Sequence, residues 1–103
     1  SERVSEAIDH FNKSLELSRK LKSKRFEIEI LSLLASAYLK EGNDDQALEI
    51  LRTAESISNS TEYLQSLLYL YEEFSDYYSN TNDYQNAAYY LRKYSSLRDS
   101  VLN

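Results

Sequence analysis

The chain has 103 residues, 42% of them hydrophobic, with a net charge of −5, one glycine, no proline and no cysteine. That length holds one small domain, the missing thiols exclude disulfides and thiolate metal sites, and the negative charge argues against nucleic acid, which needs a concentrated basic surface. No apolar run approaches the roughly 18 residues that span a bilayer and no leader peptide is visible, so this segment is expected to make no membrane contact.

The first predicted helix covers residues 3–21. Val4, Ile8, Phe11 and Leu15 recur along it at helical spacing. With no helix before it to cover them, this stripe is expected to lie open and to pair with a second copy of the chain. His10, the only histidine, shares a face with Glu6, but no second histidine or cysteine could complete a metal site. It reads as a surface residue, and no metal or other cofactor is expected. The helix runs into Lys13, Arg19, Lys20, Lys22, Lys24 and Arg25 against a single Glu16; cations there complement the exposed carbonyls of a helix end.

Ser23 is the expected cap of a second helix, 24–41, whose Leu31, Leu34, Ala35 and Tyr38 follow the i, i+3, i+4, i+7 pattern of one buried stripe. Gly42 can take the left-handed conformation that ends it. Asn43, with Gln46 three residues on, makes a capping-box pattern for a third helix, 44–58, whose stripe is Ala47, Leu48, Leu51, Ala54 and Ile57. Asn59 and Glu62 read the same way before a fourth helix, 61–80; Asn82, the next best residue after glycine for the left-handed position, closes that helix, and Asp83 is the expected cap of a fifth, 83–101. The short connections make neighbouring helices antiparallel, so the fold class is all-α.

The last two helices differ in chemistry from the first. From Thr53 to Leu91 there is no basic residue, and nine of the ten tyrosines lie between Tyr63 and Tyr94. Tyr38, Tyr71 and Tyr78 have packing duties in the pattern. Tyr69, Tyr77, Tyr84, Tyr89 and Tyr90 do not, and are expected to be partly exposed, where tyrosine suits an interface. Glu72, Glu73 and Asp76 could be imagined as an acid–base constellation. Nothing near them in the sequence suggests enclosure, so they read as an acidic surface and the chain as a non-enzyme.

Sliding the sequence by 40 residues superposes Ala7, Ala47 and Ala87, then Phe11, Leu51 and Leu91, then Leu17, Ile57 and Leu97, while Leu34 falls on Phe74 and Tyr38 on Tyr78. The units resemble the tetratricopeptide repeat: Leu31, Leu34-Ala35, Tyr38, Gly42, Ala47, Leu51 and Ala54 stand at that family's large, small, aromatic and glycine positions. HEAT and armadillo repeats, of similar period, rank second. Tyr94 departs from the pattern, since a bulky ring replaces a small residue. The resemblance implies an antiparallel helix-pair superhelix of about five helices, divided as 1–22 (second helix of a partial repeat), 23–60 and 61–103.

It also implies a concave groove lined by the first helix of each pair, at Glu29, Ser32, Ser36, Leu39 and Lys40 and at Tyr69, Glu72, Glu73, Asp76, Ser79 and Asn80. The lysine- and asparagine-based clamp that some family members close on a terminal carboxylate is absent, and the groove is acidic instead. The implied partner is a protein or peptide with a basic or aromatic-rich segment, and the implied function is a protein-interaction scaffold. Self-assembly through Val4, Ile8, Phe11 and Leu15 into a homodimer is the alternative. The long units are similar to those of membrane-anchored bacterial signalling and transcription regulators. By that likeness the segment would sit on the periplasmic side of a membrane, with the cytoplasm as the alternative.

Overall fold

Five α-helices follow one another in the computed structural model, which describes residues 1–58 and 63–102: α1 (Glu2–Lys20), α2 (Lys24–Lys40), α3 (Asp44–Ser58), α4 (Leu64–Asn80) and α5 (Tyr84–Leu102). No strand occurs among the described residues. The expected cap at Asn59 and Glu62 lies outside them.

One turn geometry joins the helices three times. At each, the residue past the helix end is left-handed: Lys22 (φ 56°), Gly42 (φ 82°) and Asn82 (φ 64°). The next amide then reaches back to a carbonyl of the last turn, Ser23 to Ser18 at 3.0 Å, Asn43 to Tyr38 at 2.9 Å and Asp83 to Tyr78 at 2.8 Å. This is the double-bonded helix end that favours glycine or asparagine. Both occupy it where the sequence suggests; Lys22 occupies it against its steric preference. The following helix is capped by the Ser23 hydroxyl, which accepts from the Phe26 amide at 3.3 Å, and by the Asp83 carboxylate, which accepts from Asn86 at 3.2 Å. The Asn43–Gln46 pair makes no such side-chain bond.

Each helix packs on its chain neighbours, and α2 also lies beside α4. Ser66 near the start of α4 donates to Glu29 near the start of α2 (3.3 Å), so these two run parallel. Ile28, Leu34 and Ala35 of α2 meet Leu51 and Ala54 of α3 and Leu70 and Phe74 of α4 in one core. The alanines are fully buried, and with no side chain beyond Cβ they let helix axes approach closely.

Three expectations are corrected by this packing. The stripe Val4, Ile8, Phe11 and Leu15 is not open: Leu15 is buried, Ile8 and Phe11 pack against the core, and Val4 is partly covered. It faces α2, which supplies the cover that a second copy was expected to supply. Tyr77 is buried rather than partly exposed. Leu91, the counterpart of Leu51, is 55% exposed against 1%. The reason is position: α3 is held between α2 and α4, whereas α5 packs along α4 and reaches α3 through the Tyr90–Glu55 hydrogen bond.

Candidate functional site

Between the C-terminal halves of α2 and α4 lies a cleft of about 600 Å³. Ser36, Leu39 and Lys40 line it from α2, and Glu73, Asp76, Ser79 and Asn80 from α4; Asp44 joins them from the first residue of α3. The helical repeat explains the set, because residues three and four apart share a face. Asp44 is there because the Gly42 turn folds the start of α3 back beside the end of α2.

The cleft is acidic and partly dry. Glu73 is half-buried, and its carboxyl is pushed up from 4.5 to about 7. Burial is the main cause, the negative charges of Asp76 and Glu72 add to it, and Lys40 partly offsets it. At neutral pH Glu73 is therefore close to half protonated. The same acidic field reaches Tyr69, whose hydroxyl is raised first by burial and then by Glu73, Glu72 and Glu29. A cationic group entering the cleft would relieve this repulsion.

The other groove positions read from the sequence are dispersed around this cleft. Glu29 and Tyr69 are half-buried nearer the starts of α2 and α4, with Glu29 accepting the bond from Ser66, and Glu72 stands in solvent. Ser32 lines nothing: it is fully buried, and its hydroxyl donates to the Ile28 carbonyl at 3.0 Å. Asp44 was missed by the sequence reading, since it belongs to the second helix of its pair and enters only through the turn.

Much of the tyrosine cluster is packing. The Tyr90 ring stacks on Phe74 with centroids 4.3 Å apart and on Tyr78 at 5.9 Å. Its hydroxyl donates to Glu55 of α3 at 3.0 Å, tying α5 across the bundle, and is raised by burial and then by that bond. Tyr84 and Tyr89 are exposed. Tyr89 helps line a second, more open cleft of about 460 Å³ between α4 and α5, with Leu67, Tyr71 and Leu97 as its apolar part and Arg92 and Lys93 at its edge. The Lys93 ammonium sits 5.2 Å from the centroids of both Tyr71 and Tyr89. Its sequence signal was the pair Arg92-Lys93 among tyrosines, one turn beyond Tyr89.

His10 is exposed on α1. Among the described residues no group of three or more histidine, cysteine, aspartate or glutamate side chains is arranged to hold a metal ion, and no helix is long and apolar enough to cross a membrane.

The family model described as tetratricopeptide repeat matches residues 1–60, the span of α1 to α3. No curated protein and no solved structure matches the chain.

Proposed function

Because this chain belongs to the tetratricopeptide repeat family, whose repeats generally mediate protein–protein interaction, we propose that it binds a lysine- or arginine-rich segment of a partner protein in the cleft between α2 and α4. The observation that carries this reading is the electrostatic state of the cleft. Asp44, Glu73 and Asp76 line it around one ammonium, Lys40, and the Glu73 carboxyl is held up at about 7 by burial first and then by Asp76 and Glu72, which Lys40 only partly offsets. A guanidinium or ammonium from a partner supplies that countercharge where water is already partly excluded, and such charge-assisted bonds are the stronger kind. Aromatic residues on the same segment would find Leu39 and Tyr69 beside the acids. The chain acts as a scaffold and carries out no catalysis itself.

The wider proposal is that residues 1–22, 23–60 and 61–103 are a partial repeat and two units of a long, 40-residue type. On this reading they form the sensory or docking segment of a larger bacterial signalling or transcription regulator, on the periplasmic side of its membrane. Recurrence of the same turn at Gly42 and Asn82 supports the unit length.

Fluorescence anisotropy with a labelled lysine/arginine peptide, and with a glutamate-rich one of equal length, tests the cleft. The basic peptide should bind, more tightly as pH rises through 7 and Glu73 ionises, and Glu73→Lys with Asp76→Lys should abolish it. Equal affinity in the doubly reversed variant would refute the assignment. Self-assembly remains a second reading because α5 leaves Tyr84, Tyr89 and Leu91 exposed; a mass by light scattering that stays monomeric with concentration would sink it.

A further inference from the structure

The antiparallel order of the helices sorts charges of opposite sign to opposite ends of the bundle, and the basic end also carries a group of exposed apolar side chains. At one end lie the finish of α1 and the start of α2. There Leu21 is 68% exposed, with Leu17 and Phe26 each about half exposed. Tyr63 and Leu64, at the start of the parallel helix α4, are exposed at the same end. Around the α1–α2 turn stand five cations, Arg19, Lys20, Lys22, Lys24 and Arg25, against Glu16 and Glu27. Arg19 and Lys24 share Glu27, and Lys20 is near Glu16. Lys22 and Arg25 pair with no carboxylate among the described residues, and the Arg25 guanidinium lies 4.7 Å from the Phe26 ring centroid. The other end holds Glu41, Asp44, Asp45 and Asp76, with the Ser1 ammonium on Glu41 showing that α1 begins there. Since α2 has 17 residues, the two ends are about 25 Å apart.

We propose that the α1–α2 turn docks on an anionic phospholipid surface, with Leu17, Leu21 and Phe26 entering the headgroup–acyl boundary and Lys22, Arg25 and their neighbours meeting lipid phosphates. The expectation of no membrane contact came from the lack of a spanning run, which bears on crossing a bilayer and not on lying against one. Helix-end dipoles account for cations at this turn, but not for three large apolar side chains held in water beside them. A lipid surface rewards both at the same depth. An acidic protein would reward the cations, yet leucines at a convex helix–turn–helix tip call for a receiving groove on that partner. Nucleic acid gives exposed leucines nothing. The charge polarity also orients the molecule: an anionic surface attracts this end and repels the acidic one, leaving the cleft between α2 and α4 facing away from the lipid.

Flotation of the protein with phosphatidylcholine vesicles, with and without roughly one-third phosphatidylserine, tests this. Binding is expected to the anionic vesicles and to fall with added salt. Each cation at such a surface adds roughly fivefold to partitioning, so Lys22→Glu with Arg25→Glu should lower it by more than about tenfold. Leu21→Ala with Phe26→Ala should lower it by about tenfold while leaving every charge in place. The four side chains changed, Leu21, Lys22, Arg25 and Phe26, are all exposed, and circular dichroism with the urea midpoint checks that the variants fold. Absence of binding to anionic vesicles, equal binding to neutral ones, or indifference to the alanine pair would each overturn the proposal. The last of these, with retention on an immobilised polyglutamate column, would instead assign the turn to an acidic polypeptide.

Discussion

Replacing Glu73 by glutamine removes a proton-binding group that the native chain holds more tightly than the unfolded one. Its carboxyl is raised from 4.5 to about 7 in the fold, by burial first and then by Asp76 and Glu72. Below pH 4.5 both states are protonated and the group contributes no pH dependence. Between 4.5 and 7 the native state keeps a proton that the unfolded chain has lost, so stability falls as pH rises, and above 7 the full loss is in place. Ten-fold in proton affinity is about 1.4 kcal/mol, which sets a ceiling of about 3.4 kcal/mol for this interval. Glu73 is only half-buried beside open solvent, and screening reduces the effect to about 1–2 kcal/mol.

Glutamine keeps the shape and hydrogen-bonding reach of the protonated acid without its charge. Urea unfolding of both proteins at pH 5 and pH 8 should therefore give nearly equal stabilities at the lower pH. At pH 8 the variant should be more stable by about 1–2 kcal/mol, or several degrees in Tm for a domain of this size. Comparing the two proteins at each pH cancels contributions that both share. Lys40→Ala in the same assay should steepen the loss, because Lys40 is the charge that lowers the Glu73 carboxyl. The same Glu73→Gln difference at both pH values would refute the reasoning, since a purely steric effect has no pH dependence.

Two contrasts test the turns and the packing. Gly42→Ala should cost about 1 kcal/mol, all of it backbone strain, because nothing lies within 4 Å of an added Cβ; Lys22→Gly, at the equivalent left-handed position, should instead stabilise by up to about 1 kcal/mol, and urea midpoints read both. Leu51→Ala should cost about 2–5 kcal/mol and Leu91→Ala less than about 0.5 kcal/mol, although both stand at the same repeat position; equal costs by thermal unfolding would mean that Leu91 is covered in solution.

What was legible in the sequence is what local chemistry decides. Helix spans follow from apolar spacing, and the ends at Gly42 and Asn82 from residues that tolerate positive φ. Ser23 and Asp83 follow as caps. Lys22 was not legible as a left-handed residue, since lysine carries no preference for that conformation and only the chain's need to reverse puts it there. The fate of a stripe depends on what stands opposite. The α1 stripe meets α2 and is covered, whereas Leu91, in a matching pattern, meets no helix on its outer side. Tyr77 and Tyr90 illustrate the same point: their positions in the repeat mark neither as core, yet Phe74 and Tyr78 offer rings that Tyr90 can stack on. In the cleft the acidic residues could be named in advance, but not the proton on Glu73, because its affinity depends on how much water α2 and α3 leave around it.

The acidic cleft and the basic turn occupy opposite ends of one helix, α2, and this separation decides whether they act together. At physiological ionic strength exposed charges are largely screened beyond about 8 Å, a third of the length of α2. Reversing Lys22 and Arg25 should therefore leave both the pH dependence set by Glu73 and the affinity of a basic peptide unchanged. Repulsion of the acidic end from an anionic surface then orients the molecule without altering what the cleft binds. If the charge reversals at the turn did shift the Glu73 titration, solvent-borne electrostatics could not be the carrier. The coupling would have to pass along α2 itself, through a change in how its last turn packs against Asp44 and α4. An altered fold at that end would also change the protection of the α2 and α4 backbone amides from hydrogen exchange, which distinguishes the two cases.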